Sequence, residues 1–387
     1  MSDQSTVVAV AGQRTELMSK IRVMLVVGAR PQFIKSAPLI SEILSKHRRI
    51  ELSIIHSGQH YDPEMSTTFF RQLQIPLPLV NLRAGSGSHA RQTATILERL
   101  EEPMLKAKPD IVIVPGDTNT TLAGALAAAK LGFPLAHLEA GLRSGDMTMP
   151  EEINRRLTDH CSSILFAPTQ TAANNLKTEG LGRLTYLTGD TMADALRTAA
   201  PLIEREQDAA LERLALTPQK YVLVTLHRPS NVDDPGRLRE VMLALRKVAE
   251  KLRVVFPAHP RTRLGLDKLM NLKRLAMNGI TLTSPQGYLE TLSLLKNARC
   301  LLTDSGGMQK ESFLLHVPCV TFRLTTEWPE TLVGNANRLV FRPRMIASAI
   351  LKVSFDEKLK EGIKGLKNPF GDGHASRRIA RIIEQQI

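Results

Sequence analysis

The chain alternates short, continuous apolar runs with stretches whose apolar residues recur at helical spacing. Arg22 to Gly28 (RVMLVVG) opens the series, and a helical pattern follows from Pro38 to His47. Ile50 to His56, Asp110 to Val114, Phe133 to Leu138 and Ile164 to Ala167 are further strand candidates, with a strong helix over Thr121 to Lys130 among them. Runs that are apolar at consecutive positions predict strands buried on both faces, as in parallel sheets linked by helices. Beyond Asp194 the pattern restarts. Tyr221 to Leu226, Arg253 to Pro257, Ile280 to Thr283, Cys300 to Thr303 and Cys319 to Phe322 predict a second α/β unit, with Leu238 to Leu252 an amphipathic helix inside it. Gly189 and Pro201 punctuate the chain between Thr188 and Arg205, where the boundary is expected. The predicted fold is α/β: two Rossmann-like, doubly wound domains facing one interdomain cleft.

Composition agrees with this and removes other classes. A length of 387 residues suits two compact units at about 150 residues each. Hydrophobic residues at 43% and charged residues at 23% supply cores and argue against wholesale disorder. The longest uncharged apolar stretches fall well short of the roughly 20 residues that span a bilayer, so no membrane partner is expected. The first residues lack a basic start leading into a long apolar segment, so 1–21 reads as an extension before the first strand, and a cytoplasmic location is expected. Cys161, Cys300 and Cys319 are odd in number and widely spaced, which predicts reduced thiols and no metal site. The net charge of +13 favours anionic partners. Aromatics are only 4% and the basic residues are scattered, which argues against nucleic acid.

Polar clusters recur just after the predicted strands, where ligands of open α/β sheets bind. They are Arg30, Gln59-His60, Asp117 and Glu139 in the first half, and His227-Arg228, His259 and Asp304 to Gly307 in the second. The two glycines of DSGG precede a helical segment, Met308 to His316, and would let backbone amides approach a phosphate at a helix N-terminus; a plain glycine turn with Asp304 or Ser305 as cap is the alternative. Arg30, Lys35, Arg155, His227 and Arg228 are candidate donors to a diphosphate. Asp117, Glu139 and Glu151 are candidate acids and bases, because carboxylates sharing a dehydrated pocket can carry protons near neutrality. Asp117 could instead cap the helix starting near Thr118, and Glu151 and Glu152 could complement a helix dipole.

As strings, these residues resemble the non-hydrolysing UDP-N-acetylglucosamine 2-epimerase family. The matches are GARPQFIKSAP at 28–38, SGQHYD at 57–62, PGDTNTTLAGALAA at 115–128, HLEAGLRSGDMTMPEEINRR at 137–156, VTLHR at 224–228, PAHPRTR at 257–263, SPQGYLE at 284–290, DSGGMQKE at 304–311, TTEWPE at 325–330 and NPFGDGHAS at 368–376. The resemblance covers nearly the whole chain. It implies the B-type glycosyltransferase fold, with domain one over 22–194, a UDP-binding domain over 195–366, and a C-terminal helix at 367–387 crossing back to the first. It also implies anti elimination of UDP through 2-acetamidoglucal, re-addition on the opposite face, no cofactor and no metal, and a homodimer acting on a UDP-sugar.

By matching positions, the resemblance makes Asp117, Glu139 and Glu151 the catalytic carboxylates, with Arg155 beside them. Arg30, His227 and the Ser305, Gly306 and Gly307 amides would hold the diphosphate, with His227 counted among the catalytic groups too. Lys35 and His259 would lie on the sugar and phosphate side, Glu311 on the ribose, and Gln286 to Tyr288 along the uracil. Many bacterial members have an acid at Gln32, an Arg near Tyr61-Asp62, and an Arg at Trp328. GARPQFIK, MPEEINR, HPRTR, DSGGMQKE and TEW together resemble more the branch that includes UDP-2,3-diacetamido-2,3-dideoxy-glucuronate 2-epimerase. A glycosyltransferase of the same fold is a third reading, and acceptor dependence would mark it.

Overall fold

The computed structural model describes residues 20–59, 75–269 and 279–387, without the side chains of 206–208. The extension over 1–19 and the expected rim residue His60, with Tyr61 and Asp62, lie outside the described residues. The first half comprises β1 (Ile21–Val27), α1 (Arg30–Lys46), β2 (Ile50–His56), β3 (Val80–Asn81), α2 (His89–Ala107), β4 (Ile111–Pro115), α3 (Asn119–Lys130), β5 (Leu135–Leu138), α4 (Pro150–Cys161), β6 (Ile164–Ala167), α5 (Gln170–Thr178) and β7 (Thr185–Leu187). The long helix α6 (Thr191–Arg213) follows. The second half comprises β8 (Tyr221–Thr225), the short α7 (Pro229–Val232), α8 (Pro235–Ala249), β9 (Arg253–Pro257), α9 (Pro260–Leu269), β10 (Ile280–Thr283), α10 (Tyr288–Lys296), β11 (Cys300–Thr303), α11 (Gly306–Leu314), β12 (Cys319–Thr321), β13 (Asn337–Leu339), α12 (Ile346–Ser354), α13 (Glu357–Lys364) and α14 (Ala375–Gln386).

The strands form a seven-stranded sheet in the order β3-β2-β1-β4-β5-β6-β7 and a six-stranded sheet in the order β10-β9-β8-β11-β12-β13. Every pairing is parallel, so within each sheet all strand C-termini emerge on one rim. The cause is visible in the central strands. IVIVP of β4 is buried throughout, because helices cover both faces and no side of the pleat meets water. Core clusters lie on both sides of each sheet. Among the described residues, no helix is long and apolar enough to cross a membrane.

Two expectations are corrected. Helix α1 starts at Arg30, not Pro38, since the Gln32 carbonyl oxygen accepts the Gly28 and Ala29 amides at 2.8 and 3.0 Å and anchors the first turn. Pro201 does not break the chain but sits inside α6, which runs on for 23 residues. The C-terminal helix α14 returns to α1 and α6, burying Ile379, Ala380 and Ile383 in the first sheet's core. Its start is held by the Asp194 carboxylate, which accepts the Ala375 and Ser376 amides at 3.0 and 2.7 Å and so satisfies two donors a helix N-terminus would otherwise leave unmade.

Candidate active site

Asp117 follows β4 through Gly116, whose φ of +69° turns the chain sharply at the rim. The helix cap here belongs to Thr118, whose hydroxyl accepts the Thr121 amide, so the Asp117 side chain is left for other work. It pairs with Arg155 at 2.6 Å. Burial pushes the Asp117 carboxyl up, but Arg155 and Lys35 outweigh it and hold the group below the usual carboxylate range.

Arg155 lies on α4 and is 1% exposed. Its second contact, at 2.6 Å, is Glu152, which also accepts the Ser144 amide and hydroxyl at 2.8 and 2.9 Å. Glu152 is therefore the brace behind Arg155 and not a mere helix-dipole partner. Glu151 is half-buried and makes no hydrogen bond or ion pair among the described residues.

Glu139 follows β5 with φ of +72°, a left-handed conformation that costs a non-glycine residue about 1–3 kcal/mol and must be held by its surroundings. Both carboxylate oxygens are taken: Lys35 of α1 donates to one, and Lys310 of α11 to the other at 2.6 Å. Against strong burial, these lysines draw the Glu139 carboxyl down to about 2. Lys310 also donates to Asp190 at 2.6 Å and lies 4.0 Å from the centre of the Trp328 ring. Burial, and then Glu139, raise the Asp190 carboxyl in spite of Lys310. Trp328, at the position where many bacterial members have an Arg, is 2% exposed and stacks edge-on against Phe370.

Behind these loops, buried His137 of β5 bonds Asp159 of α4 with one ring nitrogen and the Gly116 carbonyl with the other, each at 2.7 Å. Asp159 also accepts from Gly141 and Arg143 at 3.2 and 2.7 Å. One buried dyad thus ties together the segments that carry Asp117, Glu139 and Arg155. Gln32 is part of the same frame: its amide nitrogen donates to the Pro115 carbonyl at 2.9 Å, a bond that an ionised acid at this position could not make.

On the second sheet's rim, Asp304 is fully buried and caps no helix. Its carboxylate collects the His227 amide at 3.1 Å and the Arg228 amide and Asn231 side chain at 3.0 Å. His227 is exposed, its ring 5.8 Å from that of the exposed His259. Gly306 and Gly307 open α11 behind Ser305, which offers no side-chain cap. A Cβ at Gly306 would lie 2.2 Å from the Glu327 carboxylate, which would have to move, whereas one at Gly307 would make only an ordinary contact with the Ser305 hydroxyl at 3.9 Å.

Glu311, one residue past Lys310, is pushed up to about 7 by burial, against the pull of Lys310, Tyr288, Arg30 and Lys35. Burial first, and Glu311 next, lift the buried Tyr288 hydroxyl well above its ordinary value. Arg30 donates across the cleft to the Gln286 carbonyl at 3.3 Å, and burial lowers its guanidinium.

The structure therefore brings Arg30, Lys35, Asp117, Glu139, Arg155, Gln286, Tyr288, Lys310 and Glu311 into one connected network across the two halves, while His227, His259 and Ser305 to Gly307 border it on the second rim. Sequence reading missed Lys310, Asp190, His137, Asp159 and Glu152. For all but Lys310, which sits inside α11, the only signal was position: His137 and Asp190 lie at or just after strand ends, and Glu152 and Asp159 flank Arg155 on α4.

Two Rossmann-like units with parallel sheets and a shared charged cleft define the B-type glycosyltransferase fold. A profile of the UDP-N-acetylglucosamine 2-epimerase family matches residues 42–384, and the chain belongs to that family of isomerases. It is 46% identical to a UDP-N-acetylglucosamine 2-epimerase homolog of Methanococcus maripaludis, over 94% of this chain and 99% of that one. It is 42% identical to the UDP-2,3-diacetamido-2,3-dideoxy-D-glucuronate 2-epimerase of Pseudomonas aeruginosa, with the same coverage. The fold matches the crystal structure of Methanocaldococcus jannaschii UDP-GlcNAc 2-epimerase in complex with UDP-GlcNAc and UDP with a TM-score of 0.86 at 42% identity, covering 94% of this chain and 100% of that one.

Proposed function

We propose that this enzyme interconverts UDP-N-acetylglucosamine and UDP-N-acetylmannosamine without hydrolysis. The observation that carries the reading is the cleft itself: ionised Asp117 and Glu139 are held on one wall by Arg155 and Lys35, and by Lys310 reaching over from α11, whose first amides lie with His227 on the other wall. C2 of the sugar is not next to a carbonyl, so its hydrogen is not acidic enough for simple removal and return. In the first half-reaction a carboxylate takes the C2 proton, the C–H electrons form the C1–C2 double bond, and UDP departs from C1 with its bonding pair. Bound 2-acetamidoglucal and UDP result. In the second, UDP adds back to C1 while a proton is delivered to the opposite face of C2.

Asp117, Glu139 and Glu151 are the candidate proton carriers, with Arg155 beside Asp117. Arg30, His227 and the Ser305, Gly306 and Gly307 amides would retain UDP through both steps, with Lys35 and His259 on the sugar and phosphate side, Glu311 on the ribose and Gln286 to Tyr288 along the base. Residues 22–194 with 367–387 would form the carboxylate-bearing domain, and 195–366 the UDP-binding one. A cytoplasmic homodimer is the expected form, and a monomer in sedimentation would remove the dimer.

The test is NMR analysis of product formed from UDP-N-acetylglucosamine in deuterated water without an acceptor. The C2 epimer carrying deuterium at C2 is expected; no epimer, or epimer without label, sinks the reading. UDP-2,3-diacetamido-2,3-dideoxy-glucuronate is offered in parallel, because a relative named for that substrate is also 42% identical to the chain. Turnover that strictly requires an acceptor would instead mark a glycosyltransferase.

A further inference from the structure

We propose that Lys310 is a positioning residue for the epimerisation: reaching from the helix whose N-terminus faces the diphosphate, it holds the Glu139 carboxylate in place across the cleft. The inference rests on the function proposed above and adds a residue to it. Lys310 lies on α11, four residues past Gly306, and its side chain is 1% exposed. All of its bonding capacity is committed. The ammonium donates to Glu139 and to Asp190 at 2.6 Å each, and its remaining face lies over the Trp328 ring at 4.0 Å.

Glu139 and Asp190 both belong to the first half, so a single cation of the second half ties down two of its buried carboxylates. With Lys35 on the other Glu139 oxygen, the four charges cancel inside the protein, which is the condition for burying them at all. The seat is built as well. Trp328 stacks on Phe370, Phe370 stacks on Phe313 of α11, and the Phe370 carbonyl accepts the Asp190 amide at 2.9 Å. That ring of contacts closes on Lys310. Glu139, left to its own φ of +72°, has no local reason to keep its carboxylate aimed at the cleft.

Lys310→Met removes the cation and keeps the volume. It is expected to lower kcat about 100-fold, the scale of a misplaced catalytic group, while the Kd for UDP moves by less than about threefold. The acid limb of the kcat profile should move to higher pH, since Glu139 would face Lys35 of α1 alone, opposed by Asp117 after β4, Asp190 at the start of α6 and Glu311 of α11. In Lys310→Ala, propylammonium in the buffer should restore part of kcat, which a purely structural loss would not allow. UDP binding and Trp328 emission report whether each variant is folded; should Lys310→Met not fold, Lys310→Met with Asp190→Asn strands one carboxylate fewer and carries the same expectation. A folded variant with kcat near wild type and an unmoved acid limb overturns the inference. A wild-type protein inactive on both UDP-sugars overturns the proposed function instead, so the two failures are distinguishable.

Discussion

The two walls of the cleft handle charge in different ways. On the first, Glu139, Glu152, Arg155, Asp159 and Asp190 are each at most 7% exposed, and nearly every one has a buried partner of opposite sign. On the second, His227 keeps 45% of its side chain in solvent, His259 is exposed, and buried Asp304 holds the His227 and Arg228 amides together with the Asn231 side chain and the His227 ring. Charges interact strongly where water is excluded, which suits a wall where, on the proposed mechanism, a proton moves without the groups reorganising. On the proposed mechanism, a diphosphate that is released and recaptured is better served by amides and solvent-exposed polar side chains. Lys310 and Glu311 are the exceptions, second-half residues buried in the manner of the first wall.

The comparison breaks first if the buried carboxylates are dispensable. Asp117→Asn or Glu139→Gln should lower kcat about 10²- to 10⁴-fold, roughly 3–5 kcal/mol of barrier, with UDP affinity little changed. Near-normal turnover in both variants removes them from the chemistry. Next in size is Glu311. Its folded value of about 7 lies above the ordinary 4.5, so the folded state binds the extra proton between these values, and stability from this group is present below about 4.5 and lost as pH rises to about 7. Glu311→Gln should therefore gain on the wild type from pH 4.5 to 7, by up to ~3 kcal/mol at ~1.4 kcal/mol per pH unit, and level off above. Parallel stability profiles in thermal or denaturant melts would show that Glu311 does not carry that burden.

Arg30→Ala should weaken UDP binding by about 1.5–3 kcal/mol, the range of a charged hydrogen bond, in calorimetry; an unchanged Kd takes it out of the diphosphate clamp. The smallest effect separates two adjacent glycines. Gly307→Ala would meet only the Ser305 hydroxyl, at 3.9 Å, and should alter stability by less than ~0.5 kcal/mol while weakening UDP binding. Gly306→Ala meets Glu327, itself paired to Arg323 at 2.7 Å, and should cost about 1–3 kcal/mol. Equal stability for both variants would mean that the Gly306 contact is soft.

Strands Ile50–His56, Ile164–Ala167, Arg253–Pro257, Ile280–Thr283 and Cys300–Thr303 were readable to the residue; ILFA, RVVFP and CLLT are continuous apolar runs of strands covered by helices, whereas IELSIIH and ITLT interleave polar residues and are less completely buried. The missed strands, Val80–Asn81, Thr185–Leu187 and Asn337–Leu339, are two or three residues long and lie at sheet edges, where pairing needs no apolar run. The start of α1 was missed because its first turn is stabilised by a side chain reaching back to Gly28 and Ala29, a bond with no periodic signature.

Residue order alone settled what chemistry was on offer: which carboxylates, cations and glycines follow which strands, and that parallel strands would bring them to common rims. It could not tell Glu151 from Glu152, or mark Lys310 among 51 basic residues, because a charge reads the same in a string whether it is hydrated or buried. That difference was decided when α4, α11 and the loops after β4 and β5 packed together. Removing water from a lysine is tolerable only where carboxylates wait within hydrogen-bond reach, and their positions are a property of the assembled fold.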